Sequence, residues 1–235
     1  MATPRELIAA NVARIRERIA AAAKAAGRDP AEITLVAVSK YVDAATAALL
    51  VGAGCHSLGE ARPQQLWEKA AASELAGVEW HLIGRLQRNK IRRTLPLATL
   101  IHSVDSERLL AAIDDEAATL ELTSRVLLEV NCSSDATKQG FTSEDVRALL
   151  PILSNYPHVE VAGLMTMAAL DGDDAVAHAN FAALRTLRDE LADIAPPNVN
   201  LRELSMGMSG DFEIAVAEGA TIVRVGSSLF EGVLS

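Results

Sequence analysis

Lys40 is the first residue in the chain whose type and position suggest covalent chemistry. It follows the apolar run at residues 33–38 and Ser39, where a buried β-strand would end. Desolvation at a strand end favours the neutral form of a lysine amine. A neutral amine attacks an aldehyde and forms a Schiff base. Taken alone, however, Lys40 is better explained as a lysine that extends from a strand end into solvent.

Two later segments combine glycine and serine directly after apolar runs, an arrangement that suits an anion. Residues 205–211 (SMGMSGD) follow one such run, and residues 226–228 (GSS) follow the next. Small residues let backbone N–H groups turn toward a phosphate, and Asp211 or Ser209 could cap the helix that follows. Ordinary strand-to-helix turns use the same residues. From the pattern alone the two interpretations have equal weight.

Arg224 interrupts the otherwise apolar run at residues 222–225, so its guanidinium needs a buried partner. Two alternatives stay open. Arg224 could form a core ion pair, with Glu203 as one candidate, or it could face the ring nitrogen or phosphate of a ligand.

The histidines show no spacing typical of metal ligands, so the sequence predicts no metal site. The sequence also contains no nucleophile elbow and no P-loop. His81, which lies within the third predicted strand, is interpreted as a satisfied core residue. The five histidines are His56, His81, His102, His158 and His178.

Short apolar runs alternate along the whole chain with longer amphipathic ones, which predicts alternating strands and helices. The predicted strands are residues 33–39, 57–59, 79–84, 100–104, 125–131, 159–165, 200–205 and 221–225. The predicted helices are residues 44–51, 63–72, 87–93, 106–120, 143–153, 175–194 and 211–218, after a leading amphipathic helix within residues 1–26.

Eight βα units with an extra N-terminal helix predict a single α/β domain over residues 1–235, folded as a (β/α)₈ TIM barrel. The alternative is a doubly wound open sheet, whose first βα turn carries a glycine-rich fingerprint. Here that turn, SKYVDAAT, contains no glycine. In a barrel the functional residues lie where strands end, and phosphate is held after strands 7 and 8. This rule places Lys40 and both glycine-serine segments at one face.

Composition narrows the class of protein and its partners. The 235 residues carry a net charge of −9, which argues against nucleic-acid binding, although the basic cluster at residues 85–93 could attract a small anion or a partner. Two cysteines form no disulfide framework and fit a reduced cytoplasmic compartment. No signal peptide and no apolar run long enough to span a membrane is apparent.

Taken together, the segments resemble the pyridoxal phosphate homeostasis protein family, also called the YggS or PROSC family. The resemblance covers nearly the whole chain, and its segments occur in the family's order: LVAVSKY (35–41), LGEARPQQL (58–66), WHLIGRLQRNK (80–90), IHSVDS (101–106), EVNCSSDATKQGF (129–141), GLMTM (163–167), LSMGMSGDFEIAVAEGAT (204–221) and VRVGSSLFEG (223–232). It implies a fold type III barrel like the N-terminal domain of alanine racemase.

The resemblance also implies a cofactor, pyridoxal 5′-phosphate (PLP), held as a Schiff base on Lys40. By the same motif match, Ser205, Gly226 and Ser227 would hold the phosphate, Met206 would belong to the cofactor-binding set, and Arg224 would face the pyridine nitrogen. An arginine cannot easily give up a proton, so it would keep that nitrogen unprotonated and weaken the ring as an electron sink.

The chain departs from the family's pattern at three positions. Ala61 replaces an asparagine often placed near the cofactor, so any side-chain hydrogen bond from that position is lost. Arg85 stands where proline is common, so the shape of the third loop is expected to depart from the family's. Ser227 stands where threonine is common and keeps a hydroxyl.

Three functions follow from these observations. The first is a non-catalytic PLP carrier that takes part in intracellular PLP homeostasis, supplies apoenzymes and exists as a monomer or weak dimer. The second is a single-domain PLP-dependent amino-acid racemase, which lacks an obvious second acid/base group because the only tyrosines are Tyr41 and Tyr156. The third, a phosphate-binding barrel enzyme without PLP, leaves the family match at Lys40 unexplained.

Overall fold

The computed structural model describes residues 2–133, 139–168 and 173–233. These residues form a closed barrel of parallel strands in chain order, which confirms the predicted (β/α)₈ barrel and excludes the doubly wound sheet. The strands are β1 (Thr34–Val38), β2 (Ser57–Glu60), β3 (Glu79–Leu82), β4 (Ala98–Val104), β5 (Ser124–Glu129), β6 (Val159–Met165), β7 (Val199–Ser205) and β8 (Ile222–Val225). Residues 134–138 of the family segment 129–141, and the outermost residues of the predicted domain 1–235, lie outside the described ranges.

The α-helices of the described residues follow the predicted positions, with differences at their ends. They are α1 (Pro4–Ala25), α2 (Ala44–Gly52), α3 (Pro63–Ala70), α4 (Ile91–Thr94), α5 (Glu107–Thr119), α6 (Ser143–Leu149), α7 (Asp174–Ala192) and α8 (Phe212–Ala217). The helix predicted over 87–93 is instead a 3-10 turn at Arg88–Lys90 followed by the short α4. The helix predicted over 143–153 changes to a 3-10 helix at Leu150–Asn155, because Pro151 has no N–H to continue an α-helix.

The side-chain alternation of β8 decides where Arg224 points. Val36 of β1 lies beside Arg224 across the seam that closes the barrel. Val36 and Ile222 belong to the small apolar cluster inside the barrel, whereas Val223 belongs to the larger core between strands and helices. Since successive strand residues face opposite sides, Arg224 points into the barrel together with Ile222.

The N-terminal helix α1 fastens the end of the chain to the barrel. A capping box between Thr3 and Glu6 starts the helix. The side-chain amide of Asn11 donates hydrogen bonds to the carbonyls of Leu229 and Glu231, at 3.2 and 3.0 Å. These contacts hold the segment after β8, which lines the cavity described next.

Candidate functional site

A cavity of about 480 Å³ opens at the C-terminal ends of β1 and β8. Its volume is in the range of ordinary small-molecule sites. Side chains and backbone from both strand ends and from the last segment of the chain line it: Val38, Lys40, Tyr41, Gly226, Ser227, Ser228, Phe230, Glu231 and Gly232. The structure therefore brings Lys40 together with two of the other predicted site residues, Gly226 and Ser227.

Lys40 is half-buried at the mouth of this cavity. Its Nζ lies 4.9 Å from the ring centroid of Tyr41, which is 80% exposed. The amine is therefore at the boundary between cavity and solvent, where an incoming aldehyde can reach it.

A buried ion pair holds the backbone just before Lys40. Lys69 of α3 pairs with the Glu60 carboxylate of β2, and its Nζ also donates to the carbonyl of Ser39 at 2.6 Å. The Ser39 hydroxyl donates to the same carboxylate at 2.7 Å. Glu60 is fully buried and Lys69 nearly so. Ser39, Glu60 and Lys69 together are called the β1 clamp. The sequence did not single out Lys69.

The loops after β7 and β8 contact each other beside the cavity. The backbone N–H of Gly226 donates to the Ser209 hydroxyl at 3.2 Å, and the Asp211 carboxylate accepts the N–H of Met208 at 2.5 Å. Neither Ser209 nor Asp211 makes the helix-capping hydrogen bond that the sequence suggested. A methyl group on Gly226 would lie 3.3 Å from the Val38 side chain, so glycine lets this loop approach the end of β1 closely.

Three predicted site residues, Met206, Ser205 and Arg224, do not line this cavity. The Met206 side chain is buried in the core between strands and helices, and its N–H donates to the carbonyl of Ile222. Ser205 is also fully buried, and its hydroxyl faces inward to Arg224. Ser209, which sequence reasoning treated only as a possible cap, is the residue of this loop whose hydroxyl accepts from the Gly226 N–H.

Arg224 lies 4% exposed inside the barrel with two hydrogen-bond acceptors. Its guanidinium donates to the Ser205 hydroxyl at 2.6 Å and to the Thr166 carbonyl at 3.1 Å. Burial lowers the pKa of Arg224 to about 10, although the charges of Asp211 and Glu129 act in the opposite direction. Glu203 does not pair with it and accepts instead from the Thr221 hydroxyl.

Two of the positions that depart from the family's pattern, Ala61 after β2 and Arg85 after β3, lie at or next to a tight contact between two loops. A methyl group on Gly84 would come within 2.3 Å of the Ala61 carbonyl, so the two loops touch through their backbones. Burial raises the pKa of Glu129, and the charge of the exposed Arg85 acts in the opposite direction.

His81 and His102 hydrogen-bond to each other inside the barrel, with Nδ1 of His81 2.9 Å from Nε2 of His102. The prediction of His81 as a satisfied core residue agrees with this contact, but sequence reasoning missed His102. Burial lowers the pKa of His81 to about 4 and lowers the pKa of His102 well below its usual value. Both rings are therefore neutral at pH 7. Within the described ranges no cluster of residues suited to a metal ion occurs.

These histidines predict a loss of stability in acid. Between pH 6.5 and 4 the unfolded chain binds a proton at His81 that the folded chain does not, so the free energy of unfolding falls as pH falls. For His81 alone the loss over this window is roughly 3 kcal/mol. Urea unfolding at several pH values should show a shallower decline for His81→Asn. The exposed control His56→Asn should follow the wild type, and parallel curves for all three proteins would contradict the assignment.

A closed parallel barrel with a lysine just after β1 and glycine-serine loops after β7 and β8 is the architecture that the sequence resemblance implies, a barrel like the N-terminal domain of alanine racemase. The family model described as "Alanine racemase, N-terminal domain" matches residues 9–232. The chain belongs to this family, and within it to the pyridoxal phosphate homeostasis proteins. The Pseudomonas aeruginosa protein of that name is 39% identical over 223 residues, which cover 95% of this chain and 94% of that protein. The resemblance found in the sequence segments is thus confirmed.

Solved structures agree with this assignment. PipY of Synechococcus elongatus, solved with PLP bound, is 40% identical with a TM-score of 0.84, over 95% of this chain and 99% of that chain. Alanine racemase of Clostridium difficile shares the fold with a TM-score of 0.72 at 16% identity, and the match spans 92% of this chain and 56% of the racemase.

Among the described helices, none combines the length and apolar character that a membrane crossing requires.

Proposed function

We propose that this protein binds PLP covalently through Lys40 and supplies it to apoenzymes as part of PLP homeostasis. One observation carries the proposal: the Lys40 amine and the Gly226–Ser227 turn line the same cavity. A lysine amine reacts with the aldehyde of PLP, and backbone N–H and hydroxyl groups bind its phosphate. The family membership and the PLP-bound PipY structure support the same cofactor.

The donor set of the site fits the parts of the cofactor. We assign the phosphate to the Gly226–Ser227 turn and to Ser209, in preference to Ser205. The reason is that Ser209 contacts Gly226, whereas the Ser205 hydroxyl is already bonded to Arg224 and His102. We assign the ring nitrogen to Arg224, whose charge opposes protonation of that nitrogen. Met206 supports the loop from the core.

A carrier fits these residues better than the racemase alternative. PLP would supply the aldehyde carbon that bonds to Lys40 and, once bound, an electron-withdrawing ring. Racemisation would also need acid/base groups on both faces of the substrate. Tyr156 does not line the cavity, and its hydroxyl donates to Glu107 at 2.9 Å, so it does not serve as the second acid/base group. Tyr41 is highly exposed and its ring contacts Lys40, so its hydroxyl is not held in a fixed position as an acid/base group would be.

Several further features belong to the proposal. The recipients are PLP-dependent apoenzymes, nucleic acid is not a partner, and the protein is a monomer or weak dimer formed by one domain over residues 1–235. The cytoplasm is the proposed location, and the free state of both Cys55 and Cys132 supports it.

Replacing the proposed anchor tests the cofactor assignment. Wild-type protein mixed with PLP should show a visible absorption band and, after borohydride reduction, a mass increase that maps to Lys40. Lys40→Ala should lose both, because the remaining contacts cannot form the covalent bond. Lys24→Ala, an exposed lysine of α1, is the matched control and should behave as wild type. A Lys40→Ala protein with an unchanged band would refute the anchor.

The supply function needs a separate measurement. PLP-loaded wild-type protein should activate an apoenzyme faster than the same protein releases free PLP when it is diluted into buffer. Racemisation of an amino acid by the purified protein at a rate typical of enzymes, about 1 per second or more, would favour the racemase instead.

A further inference from the structure

A continuous line of hydrogen bonds runs through the barrel interior from Arg224 to the opposite end. The guanidinium donates to the Ser205 hydroxyl at 2.6 Å. The Ser205 hydroxyl lies 2.8 Å from Nδ1 of His102, and Nε2 of His102 lies 2.9 Å from Nδ1 of His81. All four side chains are at most 6% exposed. These four side chains are called the interior chain below.

The direction of every hydrogen bond in the interior chain follows from Arg224. An arginine has donors only, so the Ser205 oxygen must accept from it. The single hydroxyl hydrogen of Ser205 is then satisfied only if it is donated to Nδ1 of His102. The reverse arrangement would leave a fully buried hydroxyl hydrogen without an acceptor, which is costly.

The same reasoning fixes both histidine tautomers. Neutral His102 with an accepting Nδ1 carries its hydrogen on Nε2 and donates it to Nδ1 of His81. His81, also neutral, therefore carries its hydrogen on Nε2. Each bond points the same way, and bonds aligned in series in a buried environment strengthen one another.

The far end of the interior chain reaches a second cavity. His81 lines a space of about 160 Å³ formed largely by residues at or near the starts of the strands, on the face opposite Lys40. The polar side chains lining this space are Thr34, Ser57, Glu79, Thr99, Arg125 and Glu203. The interior chain therefore connects the N-terminal face of the barrel with the guanidinium assigned to the cofactor ring.

We propose that Ser205, His102 and His81 are positioning residues for Arg224, and that the interior chain fixes how its guanidinium faces the ring nitrogen of PLP. The inference rests on the proposed function, because Arg224 has a ring nitrogen to face only when PLP is bound. His81 contributes from three hydrogen bonds away without touching the cofactor. A substitution on the N-terminal side of the barrel thus changes the properties of bound PLP.

The first measurement uses wild-type protein without cofactor. Long-range ¹H–¹⁵N correlation spectra at pH 7 should show His81 and His102 as neutral rings with hydrogen on Nε2. The exposed His56 serves as an internal reference, and signals are assigned by their loss in His→Asn variants. An Nδ1–H tautomer, or a doubly protonated ring, at either position overturns the interior chain.

The second measurement compares two substitutions at His81. The Asn oxygen can occupy the place of Nδ1 and still accept from His102, whereas Leu cannot. His81→Leu should weaken PLP binding by a few-fold and shift the visible band, an effect on the order expected for the loss of cooperative polarisation along the chain. His81→Asn should stay close to wild type in both respects, and His56→Leu should be unchanged.

The outcomes separate the positioning role from a merely structural one. If both His81 variants lose thermal stability while their PLP band and affinity match the wild type, the positioning role is wrong. If wild type fails to bind PLP, the proposed function and the positioning role fall together, and the tautomers still decide whether the interior chain exists. The proposal is supported if both histidines show the expected tautomers, His81→Leu changes PLP affinity and the visible band, and His81→Asn does not.

Discussion

Lys69→Met should lower the free energy of unfolding by about 3–5 kcal/mol, the cost of leaving one partner of a buried ion pair uncompensated. Glu60 is fully buried, and Lys69 is its only cationic partner among the described residues. Met fills nearly the same volume as the lysine stem, so little of the loss would come from a cavity. Urea unfolding followed by circular dichroism measures the effect.

The same substitution should impair PLP binding, because the β1 clamp holds the carbonyl of Ser39, next to Lys40. A double variant separates the two consequences. Glu60→Gln removes the buried charge and keeps an acceptor for the Ser39 hydroxyl, so Glu60→Gln with Lys69→Met should be more stable than Lys69→Met alone. PLP affinity should stay low in the double variant, since the bond to the Ser39 carbonyl is still missing.

Lys24→Met is the matched control, and its effect should stay within about 0.5 kcal/mol because Lys24 is exposed on α1. A Lys69→Met protein as stable as this control would show that the β1 clamp contributes nothing net. A double variant less stable than Lys69→Met would contradict the charge as the cause of the loss.

The fold was predictable because its signals are periodic and local. Apolar runs such as residues 33–38 indicate strands buried on both faces. The turns that follow the strands contain the N-cap residues at which the helices begin. Asp43, for example, caps α2 by accepting the N–H of Thr46. The lysine and the glycine turn of the site were predictable by the same logic, since they stand directly after strands.

What could not be predicted depends on which side chains meet across the barrel. Lys69 lies within a helix and looks like any solvent-facing lysine, and only its tertiary contact with Glu60 reveals the β1 clamp. Ser205 is the last residue of β7, and Ser209 lies four residues later in the loop that follows. Strand register turns the first hydroxyl toward Arg224, and the loop path brings the second to Gly226. Residue type and spacing alone do not separate these roles.

Gly207→Ala is the second substitution with a large expected effect, and it acts on the loop assigned to the phosphate. Gly207 has φ +93°, a left-handed conformation that favours glycine. An added methyl group would lie 2.6 Å from the Ala215 side chain and 2.9 Å from the Phe212 backbone, both in α8. Backbone strain and overpacking each cost about 1–3 kcal/mol, so we expect a loss of about 3 kcal/mol in unfolding free energy.

The loop that moves to relieve this clash carries Ser209 toward or away from Gly226. PLP affinity should therefore fall together with stability in Gly207→Ala, most visibly as weaker competition by inorganic phosphate for the site. Gly210→Ala is a control three residues away: its methyl group would meet nothing within 4 Å, and its φ lies outside the left-handed region. It should keep both stability and phosphate binding.

The pair of glycine variants tests the assignment of the loop as well as its strain. If Gly207→Ala unfolds more easily but binds phosphate and PLP as tightly as Gly210→Ala does, the loop after β7 has only a structural role. In that case the turn at Gly226–Ser227 would bind the anion without Ser209. If both variants lose affinity equally, the contact between Gly207 and α8 is not what shapes the site.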